Sequence, residues 1–220
     1  MMSETKKIAI VLSGCGVFDG AEIHEAILTI LAVARAGAQY EIFAPNIPQA
    51  HVVNHLTGEA TDENRNVLVE SARIARGKIK DLKDYTPAGF DALIFPGGFG
   101  VAKNLSNFAF YGSNCTVNAD VERAVKTTVD AGKPIGALCI SPVVIAKILG
   151  DAEVTIGQDL DTAEAIKKMG GKHIPSSHGD VVVDPRYKLV TSPCYMLDAT
   201  IDQIYDGAKN VVETILSLIG

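Results

Sequence analysis

Cys139 is the residue whose setting most suggests chemistry. The apolar run Pro134 to Leu138 ends on it, and Ser141-Pro142 then opens a helix through Leu149. A side chain in so sharp a strand-to-helix turn projects out of the sheet. This is the arrangement of a nucleophile elbow, although the usual flanking glycines are incomplete in GALCISP. Backbone N–H groups and the positive end of the helix dipole near the sulfur favour thiolate over thiol, and a thiolate is both nucleophilic and oxidisable. The plainer reading is a buried cysteine filling space at a strand end. A second strand, Ala92 to Phe95, stops at Pro96-Gly97-Gly98. Glycines there let backbone N–H groups approach a developing oxyanion together with the N–H of Ile140, whereas an ordinary turn would use the same residues.

Other patterns carry less. Gly14, Gly16 and Gly20 follow the first strand, but their spacing is G-x-G-x-x-x-G. The second strand ends in Phe43-Ala44-Pro45, without an acidic residue for a ribose, so a dinucleotide site is disfavoured. His51 and His55 have a helical metal-ligand spacing without the glutamate of an H-E-x-x-H motif, and read as loop histidines. The four cysteines, at 15, 115, 139 and 194, have neither disulfide-scaffold nor zinc spacing. No metal site and no cofactor is expected.

These residues need a scaffold. Lys6 to Leu12 reads as a buried strand, Glu22 to Ala36 as a helix stopped by Gly37, and Tyr40 to Ala44 as a second strand, which is a βαβ unit. Residues 46–90 are irregular and read as an insertion, with a helix over Val67 to Arg76 and a short strand over Gly77 to Leu82. A capped helix from Asn118 to Ala131 precedes the Cys139 strand. Beyond it come a strand at Val154 to Gly157, a helix from Asp161 or Thr162 to Met169, and a short strand at His173-Ile174. Strands at Val181 to Val183 and Leu189 to Thr191 pair around Asp184-Pro185, and a long helix runs from Leu197 to Leu218. The expectation is a single α/β domain over 1–220, with a doubly wound, mostly parallel sheet and helices on both faces.

The chain has 220 residues, 47% of them hydrophobic, and a net charge of -6 without a basic stripe. Nucleic acid and anionic membrane surfaces are therefore not expected as partners. Leu12-Ser13-Gly14-Cys15 imitates a lipoprotein cleavage box, but the apolar stretch before it is too short for a signal sequence, and no run approaches the ~18 residues of a membrane span. A cytoplasmic protein is expected.

FPGGFG, KNLS and GKPIGALCISP together resemble the PfpI-type superfamily, with its class I glutamine-amidotransferase-like, flavodoxin-like fold. Over SGCGVFDGAEIHEA, FAPN, HVVNHLTGE, NVLVESARIARG, PGGFGVAKNLSNFA, IGALCISP and TIGQDLDTAEAIKKMGG the chain is similar to the ElbB-like proteins, linked to isoprenoid (lycopene) production and described as glyoxalases. The likeness spans nearly the whole chain.

The resemblance implies a cysteine on the elbow, Cys139, hydrogen-bonded to a glutamate from the start of the first helix. Glu22 and Glu25 both qualify. The superfamily glutamate lies twelve residues before the glycine ending that helix, which favours Glu25 ahead of Gly37, while the longer preceding loop keeps Glu22 open. Gly97, Gly98 and Ile140 would supply oxyanion or backbone contacts, and Cys15, His24, Asn104 and His178 are candidate pocket residues. Peptidase-like members carry His directly after the nucleophile. Ile140 stands there instead, which weakens an amidase or peptidase reading. The implied activity is glutathione-independent conversion of a small 2-oxoaldehyde, glyoxal or methylglyoxal, to a 2-hydroxy acid through a Cys139 hemithioacetal, in a homodimer. The alternative is a non-enzymatic cysteine-based redox sensor.

Overall fold

The computed structural model describes residues 5–219. Its strands are β1 (Lys7–Val11), β2 (Gln39–Ala44), β3 (Val52–Val53), β4 (Ala60–Thr61), β5 (Ile79–Asp81), β6 (Ala92–Phe95), β7 (Ile135–Leu138), β8 (Glu153–Val154), β9 (Lys172–His173), β10 (Val182–Asp184) and β11 (Leu189–Ser192). The helices are α1 (Ile23–Arg35), α2 (Val67–Ile74), α3 (Phe108–Tyr111), α4 (Ala119–Asp130), α5 (Ser141–Leu149), α6 (Leu160–Lys168) and α7 (Ile201–Ile219). Seven strands form one sheet in the order β10-β11-β7-β6-β1-β2-β5, parallel except at the β10–β11 edge. The fold is the α/β sandwich, with a doubly wound, mostly parallel sheet, that the sequence predicts.

Alternation along the strands divides the core in two. Ile8, Ile10 and Leu12 face the layer of α1 and α7, while Ala9 and Val11 face the layer of α4 and α5. The chain leaves β1 for β2 on one side and returns to β6 on the other, so the switch point lies between β1 and β6. In open α/β sheets this is where ligands gather, beyond the carboxyl ends of the strands. The turns after β1, β6, β7 and β11 all open onto that end.

The differences from expectation lie in short elements. β5 completes the edge of the main sheet, pairing with β2, so the irregular stretch 46–90 is not wholly an insertion. Inside it, β3 and β4 form a small hairpin that alternation over two residues could not announce. β8 is confined to Glu153–Val154 and pairs with β9 in a separate two-stranded sheet. The last helix begins at Ile201, because Cys194–Met196 forms a 3-10 turn directly after β11.

A π-helical segment, Val101–Leu105, follows β6. Its wider turn carries Asn104, whose side chain ties three strands of loop together. Nδ2 donates to the carbonyls of Ser13 and Asp19, and Oδ1 accepts from the Ala50 N–H, each at 2.9 Å. Asn104 therefore fastens the loop after β1 rather than facing a ligand. Asn104→Ala leaves these buried groups unpaired, and we expect a loss of about 2–4 kcal/mol in urea unfolding.

Candidate active site

Cys139 opens the two-residue turn, completed by Ile140, between β7 and α5. Its φ is 58°, a left-handed conformation that a non-glycine residue adopts only when its surroundings impose it. Here the Cys139 N–H donates to the Ser192 carbonyl at 2.9 Å, and the Ser141 hydroxyl donates to the Pro96 carbonyl at 2.7 Å. The elbow is thus pinned to the ends of both neighbouring strands. The N–H groups of Gly98 and Ile140 hydrogen-bond to the sulfur.

Gly97 and Gly98 permit the close approach. A Cβ on Gly97 would sit 2.4 Å from the Cys139 Cβ and 2.6 Å from Glu25 Oε2. One on Gly98, where φ is 100°, would sit 2.3 Å from the Glu22 nitrogen. The Gly97 N–H does not face the sulfur. It donates to Glu25 Oε2 at 2.9 Å, which removes Gly97 from the oxyanion group and leaves Gly98 and Ile140.

Glu25, in the first turn of α1, is the glutamate that meets Cys139. Its side chain is completely buried and hydrogen-bonds to the thiol, while Oε1 accepts from the Tyr195 N–H at 3.1 Å. Glu22 instead caps α1, accepting the Glu25 N–H at 2.7 Å, and lines the open cleft above the sulfur. Burial pushes the Glu25 carboxyl up to about 7, aided by the charge of Glu22 and opposed by its hydrogen bonds.

The expectation of a thiolate at rest needs correction. Cys139 is only 7% exposed, and burial, reinforced by Glu25, pushes its thiol well above the ordinary cysteine range. The amides of Gly98 and Ile140 oppose this without overcoming it. A carboxyl and a thiol, both buried and in contact, are best described as a pair that holds protons together.

A cleft of about 390 Å³ opens over the pair. Val17, Phe99, Phe108, Ile140 and Met196 give it apolar walls, and Glu22, Asp159 and Tyr195 supply polar groups. Tyr195 and Cys194 are not among the site residues expected from the sequence. Both follow β11, which lies beside β7 with Ser192 opposite Leu138, so the strand order would have placed them next to Cys139. Cys194 is buried with a φ of 42°, and burial, reinforced by Glu25, holds its thiol well above the ordinary cysteine range.

Other expected site residues lie elsewhere. Cys15 is half-buried toward Glu70 and Arg73, on the α2 side, and does not line the cleft. His178 is exposed in the turn before β10. His24 is exposed outside the cleft but touches its wall, with Nδ1 2.9 Å from the Tyr195 hydroxyl. His55 Nδ1 donates to the Val53 carbonyl and Nε2 accepts the Phe18 N–H, while His51 packs on the Phe110 ring. Among the described residues no group of three His, Cys, Asp or Glu side chains is placed to hold a metal ion.

The elbow cysteine, the carboxyl beneath it and the glycine strand end agree with a family model that matches residues 6–196, described as the DJ-1/PfpI family. The chain belongs to the DJ-1/PfpI family. It is 49% identical over 97% of its length to the human glutamine amidotransferase-like class 1 domain-containing protein 3, mitochondrial, and covers 84% of that protein. A crystal structure of an isoprenoid biosynthesis protein with an amidotransferase-like domain from Ehrlichia chaffeensis superposes with a TM-score of 0.92 at 37% identity, covering 98% of this chain and 100% of the other. Glyoxalase III from Candida albicans shares the fold, with a TM-score of 0.62 at 16% identity over 97% of each chain.

These comparisons overturn the cytoplasmic expectation. The human relative is mitochondrial, and so are the ES1 proteins of rat and zebrafish, 48% and 37% identical over 97% and 96% of this chain. No helix among the described residues is long and apolar enough to cross a membrane.

The buried carboxyl gives stability a definite pH dependence. Between its ordinary 4.5 and about 7 the folded chain keeps a proton on Glu25 that an unfolded chain releases. The resulting stabilisation is complete below the lower value and lost as pH rises through the upper, on the order of 3 kcal/mol in all. Urea unfolding followed from about pH 4 to 8 is expected to show this decline in the native sequence and a flatter profile in Glu25→Gln.

Proposed function

We propose that the protein converts small 2-oxoaldehydes, glyoxal or methylglyoxal, to 2-hydroxy acids without glutathione. The observation that carries this reading is the contact between the Glu25 carboxyl and the Cys139 thiol beneath an open cleft. A proton carrier whose pKa lies near neutrality, touching the nucleophile, suits a reaction in which protons are moved on and off carbon.

Glu25 as carboxylate takes the thiol proton, and the Cys139 sulfur attacks the aldehyde carbon. The oxyanion so formed lies toward the amides of Gly98 and Ile140 and receives the proton back from Glu25, giving the hemithioacetal. Glu25 then removes the hydrogen from C1. The electron pair forms the C1=C2 bond, and the C2 oxygen takes up a proton, giving an enediol. Glu25 returns its proton to C2, the C1 hydroxyl loses its own, and a 2-hydroxyacyl thioester remains on Cys139. Water hydrolyses it, releasing the 2-hydroxy acid and the thiol.

Three features support this over the alternatives. Among the described residues the cleft lining includes no histidine, so a Cys–His hydrolase lacks its base. It includes carboxylates but no Lys or Arg, which suits a neutral carbonyl compound and disfavours a phosphorylated one. Burial and a raised pKa make Cys139 a slow target for peroxide, against a sensor role.

With excess methylglyoxal and no glutathione, lactate followed by NMR is expected to accumulate over many turnovers, and to fall by at least about a hundredfold in Cys139→Ala and in Glu25→Gln. Lactate no higher than in Cys139→Ala would exclude the activity for this substrate. The rate should rise with pH through about 7 as Glu25 becomes the carboxylate that accepts the thiol proton. A flat profile from about pH 6 to 8 would show that Glu25 is not that base.

A further inference from the structure

The enediol step needs a proton at the C2 oxygen, and neither Glu25 nor the two amides can give one there. Glu25 is occupied at carbon, and the amides face the sulfur and the C1 oxygen. The cleft wall carries two hydroxyl groups, Thr162 and Tyr195, and the backbone of Tyr195 is hydrogen-bonded to the Glu25 carboxyl.

Tyr195 lines the cleft together with Cys139, and its position is tied to the reacting pair by its own backbone, whose N–H donates to Glu25 Oε1 at 3.1 Å. Its hydroxyl meets His24 Nδ1 at 2.9 Å. His24 precedes Glu25 in the first turn of α1, so one turn of helix carries both the buried carboxyl and the exposed imidazole. The phenol thus stands between the cleft and a ring open to solvent. Burial and the negative charges of Glu22 and Glu25 push the Tyr195 hydroxyl above its ordinary value, which keeps it protonated and able to donate.

We infer that Tyr195 is the general acid–base group for the substrate oxygens, with His24 as the positioning residue that links it to solvent. The inference rests on the glyoxalase-type reading above. As C1–H is removed, the Tyr195 O–H bond breaks and its proton joins the C2 oxygen, where it stays in the product hydroxyl. When the thioester carbonyl forms, the proton lost from the C1 hydroxyl returns to Tyr195, directly or through His24. Protons balance over the cycle and no co-reactant other than water is consumed. A phenol–imidazole pair from two separate elements thereby fills the role that the residue after the nucleophile cannot fill as Ile140.

The test is steady-state turnover of methylglyoxal by the full chain as native sequence, Tyr195→Phe and His24→Gln, with hemithioacetal formation on Cys139 followed separately by mass spectrometry. Tyr195→Phe keeps the ring in the cleft wall. It is expected to lower kcat by about a hundredfold with KM changed less than about threefold, and with Cys139 still modified by the aldehyde. His24→Gln is expected to retain part of the rate with KM changed less than about threefold, because its amide can keep the hydrogen bond to the Tyr195 hydroxyl while the path for a proton through the ring is lost. Turnover by the native chain with kcat of Tyr195→Phe within about twofold of it overturns the role of Tyr195 alone. Equal losses in kcat and in Cys139 modification also overturn it, because they mark damage to the cleft. Absence of turnover in the native chain overturns the glyoxalase reading and this inference with it.

Discussion

A carboxyl group buried against a thiol is the constraint around which the rest of the site is arranged. Glu25 has no access to water, so each of its oxygens must find a donor within the protein. Oε2 takes the Gly97 N–H and Oε1 the Tyr195 N–H. Those two contacts draw the ends of β6 and β11 onto the first turn of α1. Cys139, at the end of β7 between them, is held where its sulfur meets the same carboxyl. The glycines at 97 and 98 and the left-handed backbone at Cys139 follow from this crowding, since a side chain on either glycine would collide with the pair or with the chain leading into α1.

The same constraint fixes the electrostatics. Without burial, Glu25 would be an ordinary carboxylate and Cys139 an ordinary thiol. Together in a dry corner they resist ionisation, and Glu22 at the cleft wall adds further negative charge. A helix N-terminus beside a cysteine favours thiolate, as the sequence suggests, but desolvation outweighs it here. In the proposed reaction the nucleophile is formed by proton transfer to Glu25 at the moment of attack rather than resting as a thiolate.

The sheet and its long helices were legible because they follow from periodicity: Ile8 to Leu12 alternates between two cores, and α1 and α7 show helical stripes. Cys139 was legible from the abrupt change from strand to helix, and Glu25 from its distance to Gly37 under the family resemblance. The rest depended on contacts distant in sequence. Tyr195 reaches Glu25 across 170 residues, and only the adjacency of β11 to β7 brings it there. Asn104 was expected in the pocket, yet the π-helical turn that carries it aims its amide at the loop after β1. Cys15 turned the other way for a similar reason: the Gly14–Gly20 loop folds back on itself and faces α2. Loop direction is set by backbone hydrogen bonds that composition does not reveal.

The central claim is that Glu25 shares its burial and its proton with Cys139. It is tested most directly by 13C NMR of the side-chain carboxyl carbons of glutamate, with the Glu25 signal assigned by its loss in Glu25→Gln and followed through a pH titration of the native chain. The account predicts a midpoint of about 7. It also predicts that this midpoint moves when Cys139 is replaced by alanine, because the hydrogen bond and the shared protonation are then gone. A midpoint near the ordinary 4.5, unmoved by Cys139→Ala, would contradict it.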